Sequence, residues 1–254
     1  MLVQITPLLL TFNEAPNVRR TMDKLAWAKE IVIVDSFSTD ATVEIAKSYP
    51  SVRLFQRKFD QHSAQWNFGV SECRTDWVLA LDADHVLTED LVAELQAWRP
   101  LAEAEAYFAR FDYCIFGRTL RGSLYPPRAV LFRRDRCRFE QDGHTQRVRA
   151  TGSTAWLQSA ILHDDRKPMS AWLWAQHRYA DLEAAKLLST PAPQLRLQDR
   201  LRRWIVPAPL LVLFHALLAK GLILDGWPGW YYVFQRTVAE MILSLKLIEQ
   251  KLAK

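Results

Sequence analysis

The chain has 254 residues, half of them hydrophobic, and carries 33 Lys and Arg against 28 Asp and Glu, a formal charge of +5. That length holds one large domain, or one domain with an appendage, and no internal repeat or low-complexity segment interrupts it. The positive balance suits a nucleotide diphosphate, an acidic glycolipid or a membrane surface, while no zinc-finger or helix-turn-helix signature supports a nucleic-acid partner. Three cysteines, Cys73, Cys114 and Cys137, are odd in number and lack metal spacing, which points to a reducing compartment.

The opening MLVQITPLLLTFNEAP has no positively charged leader region, so no signal peptide is expected. Ile5 to Thr11 reads as a first strand, and Pro7 inside it counts against a central position because it has no N–H to give. Pro16 suits the first turn of a helix running to about Trp27, with Asn13 or Glu14 near its cap. Glu30 to Val34 is a second, buried strand, and Ser38 or Thr39 is placed to cap a helix over Ala41 to Tyr49. Val52 to Gln56 is a third strand, Gln61 to Cys73 has helical spacing, and Thr88 caps a helix over Glu89 to Trp98. Strands alternating with helices at this pitch predict βαβ units and a parallel sheet. Ala106 to Phe116 and Val130 to Arg133 read as later strands around the loop RTLRGSLYPPR, and Ser170 to Leu188 as an amphipathic helix.

The chain is organised around WVLALDADH, Trp77 to His85, a short apolar run that ends in two carboxylates one residue apart. Such a run is what a strand covered on both faces looks like, and ligands of open α/β sheets sit beyond the carboxyl ends of the strands. Asp82 and Asp84 there make a site for a hard cation, Mg²⁺ or Mn²⁺, that in turn holds phosphate oxygens. Farther on, His163-Asp164-Asp165-Arg166-Lys167-Pro168 gathers a possible metal-ligating His163, two carboxylates and two cations that suit a diphosphate and its metal. A solvated charged turn leading into a helix explains the same segment. Gln65, Trp66 and Asn67 fit helix packing as well as a sugar platform, and Arg118, Arg121 and Arg128 are solvated or grip an anionic acceptor.

A strand ending in Thr11-Phe12-Asn13-Glu14, then IVIVDSFSTD, then WVLALDADH resembles the family 2 glycosyltransferases of the GT-A fold. The resemblance is nearest to bacterial enzymes that add a glucosyl unit to the lipopolysaccharide inner core, which share TFNE, VDSFSTD, a QWNFG segment and a YPPR-like loop followed by LFRR. It implies a GT-A, Rossmann-like, mostly parallel sheet flanked by helices, a nucleoside-diphosphate sugar donor (UDP-linked), a divalent cation and an inverting transfer. By position, Asp35 would hydrogen-bond the base of the nucleotide, with Asn13 and Glu14 lining the same pocket. Asp82 would contact the ribose or sugar and Asp84 the metal, and Arg166 and Lys167 would meet phosphate. An inverting transfer also needs a carboxylate to take the acceptor proton. The related core enzymes carry a His-Glu pair where this chain has His144-Thr145, so Asp142 is the first candidate for base, with His144 as neighbour, and Asp164 and Asp165 the second.

After Pro191 and Pro193 the composition changes. Residues 1–168 are expected to form the transferase domain and 169–254 a helical extension, with a hairpin at about 201–252. Within it the apolar stretch Ile205 to Leu224 is interrupted by Pro207, Pro209, His215 and Lys220, and a turn is expected over Asp225 to Trp230. That pattern favours a hairpin lying in the membrane interface over a clean crossing, although an ordinary helical pair that covers the sheet or forms a dimer contact has the same pattern. The expected setting is the cytoplasmic face of the bacterial inner membrane, with a lipid-linked or lipopolysaccharide-core saccharide as acceptor. A polyprenyl-phosphate acceptor is one alternative, and a non-catalytic nucleotide-sugar-binding protein is another. A nucleotidylyltransferase would need glycine in TFNEAPN, and an Asp-x-Asp phosphatase would carry its motif on the first strand.

Overall fold

In the computed structural model, which describes residues 5–143 and 145–253, the chain divides into two units. The first comprises Met1–Cys114 and Tyr125–Arg166, the second Ile115–Leu124 and Lys167–Lys254.

The first unit starts as the alternation predicts: β1 (Ile5–Thr11), α1 (Val18–Asp23), β2 (Ile31–Asp35), α2 (Thr42–Lys47), β3 (Val52–Gln56), α3 (His62–Glu72) and β4 (Trp77–Asp82). Next come β5 (His85–Leu87), α4 (Glu89–Ala97), β6 (Ala104–Ala109), β7 (Phe111–Ile115), β9 (Arg128–Arg133), β10 (Cys137–Asp142), β11 (Thr145–Ala150), β12 (Ser153–Trp156) and β13 (Ile161–His163), while β8 (Arg118–Thr119) falls in the second unit. Seven strands make one sheet in the order β12-β6-β9-β4-β1-β2-β3, parallel from β4 to β3 and antiparallel where β9 meets β4 and β6. The mostly parallel sheet flanked by helices expected from the sequence is the one built here. The apolar runs are continuous because both faces are covered. Leu9, Ile31, Ile33, Leu79 and Leu81 point into one core, and Leu8, Val32, Val34, Val78 and Ala80 into the other, the period-2 alternation of a doubly covered sheet. Gly69 lets α3 approach β1 closely, since a Cβ there would lie 2.5 Å from Leu8 Cδ1.

Two expectations need correction. β1 is central despite Pro7, because its ladder to β2 starts at Leu8, one residue later, and the missing N–H falls where that ladder has not begun. Ser38 and Thr39 do not cap α2. The cap position is Ala41, which has no side-chain bond to give, and Asp40 just before it accepts from the Thr42 N–H at 3.0 Å and from the Thr42 hydroxyl. Thr88 caps α4 as predicted, accepting from the Leu91 N–H at 3.2 Å.

The second unit is helical: α5 (Met169–Ser189), α6 (Leu197–Arg202), α7 (Pro207–Phe214) and α8 (Gly226–Leu252). Its core packs Ala184 and Leu187 of α5 against Leu243 and Leu247 of α8, with Ile205 between them. Arg202 ties α6 to both long helices through Glu240 at 2.6 Å and Glu183 at 3.5 Å. Residues 115–124 join this unit through Arg121, whose Nε reaches Asp225 at 3.0 Å, and the Leu124 N–H, which donates to the Tyr232 hydroxyl at 2.7 Å. The expected turn over 225–230 lies elsewhere. A wide π turn, His215–Ala219, continues α7, the chain reverses at Gly221 (φ +69), and Gly226 already opens α8.

Candidate functional site

β4 delivers Asp82 to the carboxyl edge of the sheet, and the tight turn into β5 places Asp84 and His85 beside it. The Asp82 N–H donates to His85 Nδ1 at 3.1 Å, and the Tyr125 hydroxyl lies 3.3 Å from Nε2. Burial drives the His85 imidazole down to about 4 in spite of Asp82 and Asp84 nearby, so the ring is neutral. β13 pairs with β5 so that His163 stands opposite His85, and the Asp164 N–H donates to the Asp84 carbonyl at 3.0 Å. His163 Nε2 then lies 3.2 Å from the Asp84 carboxylate. Tyr125 meets the His163 ring edge-on at 4.4 Å, and Tyr113 lies against it at 4.6 Å.

Asp82, Asp84 and His85 each offer an atom within 4.8 Å of the others, a spacing that fits one divalent cation. The hydrogen bond at His85 Nδ1 limits that set. A neutral ring that accepts at Nδ1 carries its proton on Nε2, and a protonated nitrogen is not a ligand. His163, whose Nε2 lies 3.2 Å from Asp84 and whose Nδ1 is buried with no hydrogen-bond partner among the described residues, is a second candidate for the third ligand. No hydrogen bond reaches the Asp82 carboxylate among the described residues, and Arg128 stands 3.7 Å from it, over the Tyr125 ring. Two carboxylates suit Mg²⁺ or Mn²⁺, and an imidazole beside them favours Mn²⁺, since Mg²⁺ takes oxygen ligands.

The two loops beyond β1 and β2 are zipped together. Asp35 is fully buried and accepts from the Thr11 hydroxyl at 2.9 Å, the Ser38 N–H at 2.9 Å, the Ser38 hydroxyl at 2.5 Å and the Gln56 amide at 3.3 Å. A nucleotide base can reach that carboxylate only by displacing one of these donors. Asn13, in the left-handed region at φ +53, accepts from the Thr39 N–H at 2.8 Å, while its own N–H donates to the Ser38 hydroxyl. The Glu14 N–H donates to Thr42, and the Glu14 carboxylate accepts from Asn17 at 2.9 Å.

Asn17, fully buried, is the centre of a brace. Its amide donates to Asp165 at 2.8 Å, and its carbonyl accepts from Arg20 and from the Arg166 N–H, both at 2.8 Å. Arg20 and Arg166 both grip the Asp164 carboxylate, at 2.7 and 2.8 Å. Thr21, the next residue of α1, donates to the Ala83 carbonyl at 2.7 Å. Asp164 and Arg166 thus neutralise one another and hold His163 against Asp84 from behind. Lys167 falls in the second unit.

A small open pocket lies beside Asp82, with His85, Arg128, Trp66, Phe139 and Gln146 in its wall. Its far side is the β10–β11 ribbon, held to α3 by Trp66 stacked on Phe139 at 5.1 Å and by paired bonds between Asn67 and the Phe139 backbone. Gln65 bonds to Ser36 and Arg57. Gln65, Trp66 and Asn67 therefore build the wall rather than offer a free platform. Phe139, Gln146 and Val148 face the pocket, and cross-strand pairs share a face. Asp142, paired with Thr145, lies on the opposite face and forms an ion pair with Arg147. His144 lies outside the described residues. Asp82 is the one carboxylate in the pocket wall among the described residues.

His85, Tyr125, Asn17 and Arg20 were not legible as site residues. His85 carried a signal in its place three residues after Asp82 and Tyr125 in the YPPR-like loop, while the use of His85 as a hydrogen-bond acceptor is a tertiary fact.

Comparison with known proteins gives the site its context. The glycosyl transferase family 2 profile matches residues 8–158, more than half of the chain. An uncharacterized glycosyltransferase of Rickettsia bellii is 33% identical over 94 residues, 37% of this chain and 32% of that protein. The lipopolysaccharide core biosynthesis glycosyltransferase LpsC of Rhizobium meliloti is 29% identical over 100 residues, 37% of each chain. The match thus spans about a third of these relatives' own length. Among solved structures, S. aureus TarS 1–349 in complex with UDP-GlcNAc aligns over 94% of this chain and 90% of its own, at a TM-score of 0.47 and 13% identity. Glucosyl-3-phosphoglycerate synthase of Mycobacterium tuberculosis, in complex with Mn²⁺, UDP and glucosyl-3-phosphoglycerate, aligns over 75% and 82%, at 0.45 and 11%. With a family profile covering most of the sheet, Asp82 and Asp84 included, the chain belongs to glycosyl transferase family 2.

Proposed function

We propose that this protein is an inverting, metal-dependent glycosyltransferase. It moves a sugar from a nucleoside-diphosphate sugar, UDP-linked, to a lipid-linked or lipopolysaccharide-core saccharide at the cytoplasmic face of the bacterial inner membrane. One observation carries the reading: Asp82 ends β4 at the carboxyl edge of the sheet and lines a pocket there, with Asp84 two residues on and His163 3.2 Å from Asp84. Membership of glycosyl transferase family 2 supports the donor class, and the likeness to LpsC supports the acceptor. Asp82, Asp84 and His163 would hold Mg²⁺ or Mn²⁺, and a cation there offsets the charge that develops on a leaving diphosphate. Arg128, 3.7 Å from Asp82, adds a fixed positive charge at the mouth of the same pocket. Asn13, Glu14 and Asp35 shape the loops on which the nucleotide would lie, and the brace of Asn17, Arg20 and Asp164 keeps His163 in place.

The position of Asp142 on the far face of its ribbon favours a second reading, a protein that binds the nucleotide sugar without transferring it. A polyprenyl-phosphate acceptor is a variant of the first. Isothermal titration of UDP, GDP and TDP with and without Mn²⁺ tests the donor site. Metal-dependent binding of one nucleotide supports it, and no binding of any overturns it. Donor turnover with lipid-linked saccharides or polyprenyl phosphate then separates transfer from binding alone.

A further inference from the structure

The second unit exposes a row of large apolar side chains where a water-facing helix would carry charge. Trp204 is 66% exposed, Val206 73% and Trp227 85%, and Leu210, Phe214 and Leu218 are open to solvent along α7 and the π turn after it. Scattered apolar residues are ordinary on a surface, but a contiguous row marks an interaction site.

The backbone is bent to make this row. Ile205 adopts φ +67, a conformation that β-branched residues avoid, and strain of this kind persists only where the surroundings enforce it. Its side chain is buried against α5 and α8, and its carbonyl accepts from the Ser244 hydroxyl at 3.0 Å. Holding Ile205 inward leaves both of its neighbours, Trp204 and Val206, pointing out.

Charge identifies what the row meets. From Arg196 to Trp227 the sequence holds Arg196, Arg200, Arg202, Arg203 and Lys220 against two carboxylates, Asp199 and Asp225, and Asp225 is paired with Arg121 at 3.0 Å. Asp199 is buried and already faces Lys186 and Arg202, at 3.2 and 3.6 Å. Among the described residues no carboxylate lies within ion-pair distance of Arg200, Arg203 or Lys220. A second copy docked on the same face would bring these cations towards their own equivalents, which opposes association. A surface that is apolar in depth and negative at its rim offers the complement, and an anionic bilayer is such a surface.

No single helix among the described residues is long and apolar enough to cross a membrane, and the segments Pro207–Ala219 and Leu222–Leu252 are bent by 69° at their break. We propose that residues 204–227 form a monotopic wedge that seats in the headgroup layer of an anionic membrane, with Trp204 and Trp227 as interfacial anchors and Arg200, Arg203 and Lys220 on the lipid phosphates. The wedge deepens the lipid-linked reading above and rests on it for its purpose, yet vesicle binding needs neither donor nor acceptor.

The test is flotation of the full chain with vesicles of phosphatidylcholine, with and without phosphatidylglycerol, at low and high salt. Binding is expected to the anionic vesicles, weakened by salt and by removal of phosphatidylglycerol. Trp204→Glu with Phe214→Glu is expected to lower vesicle partitioning at least about tenfold, since it removes two apolar anchors and adds two like charges. Both positions are exposed, so folding is not at stake, and circular dichroism confirms that. Leu101→Glu, an exposed position of the first unit, serves as control and should bind as the parent does. Nucleotide titration of the same variants, run in parallel without vesicles, reads the donor site separately. No vesicle binding by the parent chain overturns the proposal, as does binding that the double substitution leaves unchanged. A dimer in light scattering that the double substitution dissolves, without vesicle binding, assigns the face to a second copy instead.

Discussion

The backbone N–H of Asp82 donates to Nδ1 of His85 at 3.1 Å, so the first aspartate of the pair and the buried histidine after it are locked in one geometry. The bond fixes the His85 tautomer and turns a residue of ligand type into a scaffold. His163, whose Nε2 lies 3.2 Å from Asp84, is left as the nitrogen available to a cation. Mn²⁺ titration of two variants separates the roles. His163→Ala should weaken Mn²⁺ binding about tenfold or more with little loss of stability. His85→Ala should cost about 2–4 kcal/mol of folding stability, because it empties a buried site and orphans the Asp82 N–H. The reverse pattern would make His85 the ligand.

The Asp84 carboxylate stands 3.2 Å from His163 Nε2 and within 4.8 Å of an Asp82 ligand atom. Asp84→Ala should abolish metal-dependent nucleotide binding and leave any metal-independent binding intact, as read by titration with UDP in the presence of Mn²⁺ or a chelator. Parent-like affinity in that variant would remove the metal from the site.

Asp142 was the first sequence candidate for the base, and its ion pair with Arg147 on the far face of the β10–β11 ribbon gives it a different setting. Its carboxylate is taken up by that guanidinium on the face of the ribbon turned away from Phe139, Gln146 and Val148, so it does not point to where an acceptor would lie beside Asp82. Asp142→Asn is therefore expected to change turnover by less than about threefold at unchanged donor affinity. A loss of orders of magnitude in kcat alone would show that the ribbon turns this residue to the acceptor once donor is bound.

Burial pushes the thiols of Cys73 and Cys137 up to about 12. Both stay protonated at about pH 8, where the thiolate is the reactive form, so iodoacetamide should label neither in the folded protein and both after denaturation. Rapid labelling of either in the native state would contradict the packing of α3 and β10 against the sheet.

The parallel half of the sheet was readable because each strand is a short apolar run that ends in polar loop residues, and β4 with Asp82 and Asp84 is the plainest case. The β10–β11 ribbon was missed although Cys137, Phe139 and Gln141 alternate with Arg138, Glu140 and Asp142. A ribbon packed on one side keeps charges on the other, and those charges looked like loop. Pro7 misled in the opposite direction, since the rule against proline in central strands fails where one neighbouring ladder has yet to start. The site was legible where ligands are close in sequence. It was not legible where partners lie far apart, as with Asn17 and Asp165, separated by 148 residues.

That long-range brace yields the last prediction. Asp164 is buried and gripped by Arg20 and Arg166, whose side chains remain 31% and 34% exposed. Breaking a fully buried pair costs about 3–5 kcal/mol, but the partial exposure of both arginines lets water take up part of the loss. Asp164→Asn should therefore lower stability by about 1–3 kcal/mol, read from the midpoint of urea unfolding. Arg20→Ala should cost a similar amount, since it releases both Asp164 and the Asn17 carbonyl. The two changes touch the same bond, so the double variant should lose less than the sum of the singles, by about 1 kcal/mol. Strict additivity would mean that Arg20 and Asp164 do not act as one unit, and His163 would then have to be held by its ring contacts with Tyr113 and Tyr125 and by the pairing of β13 alone.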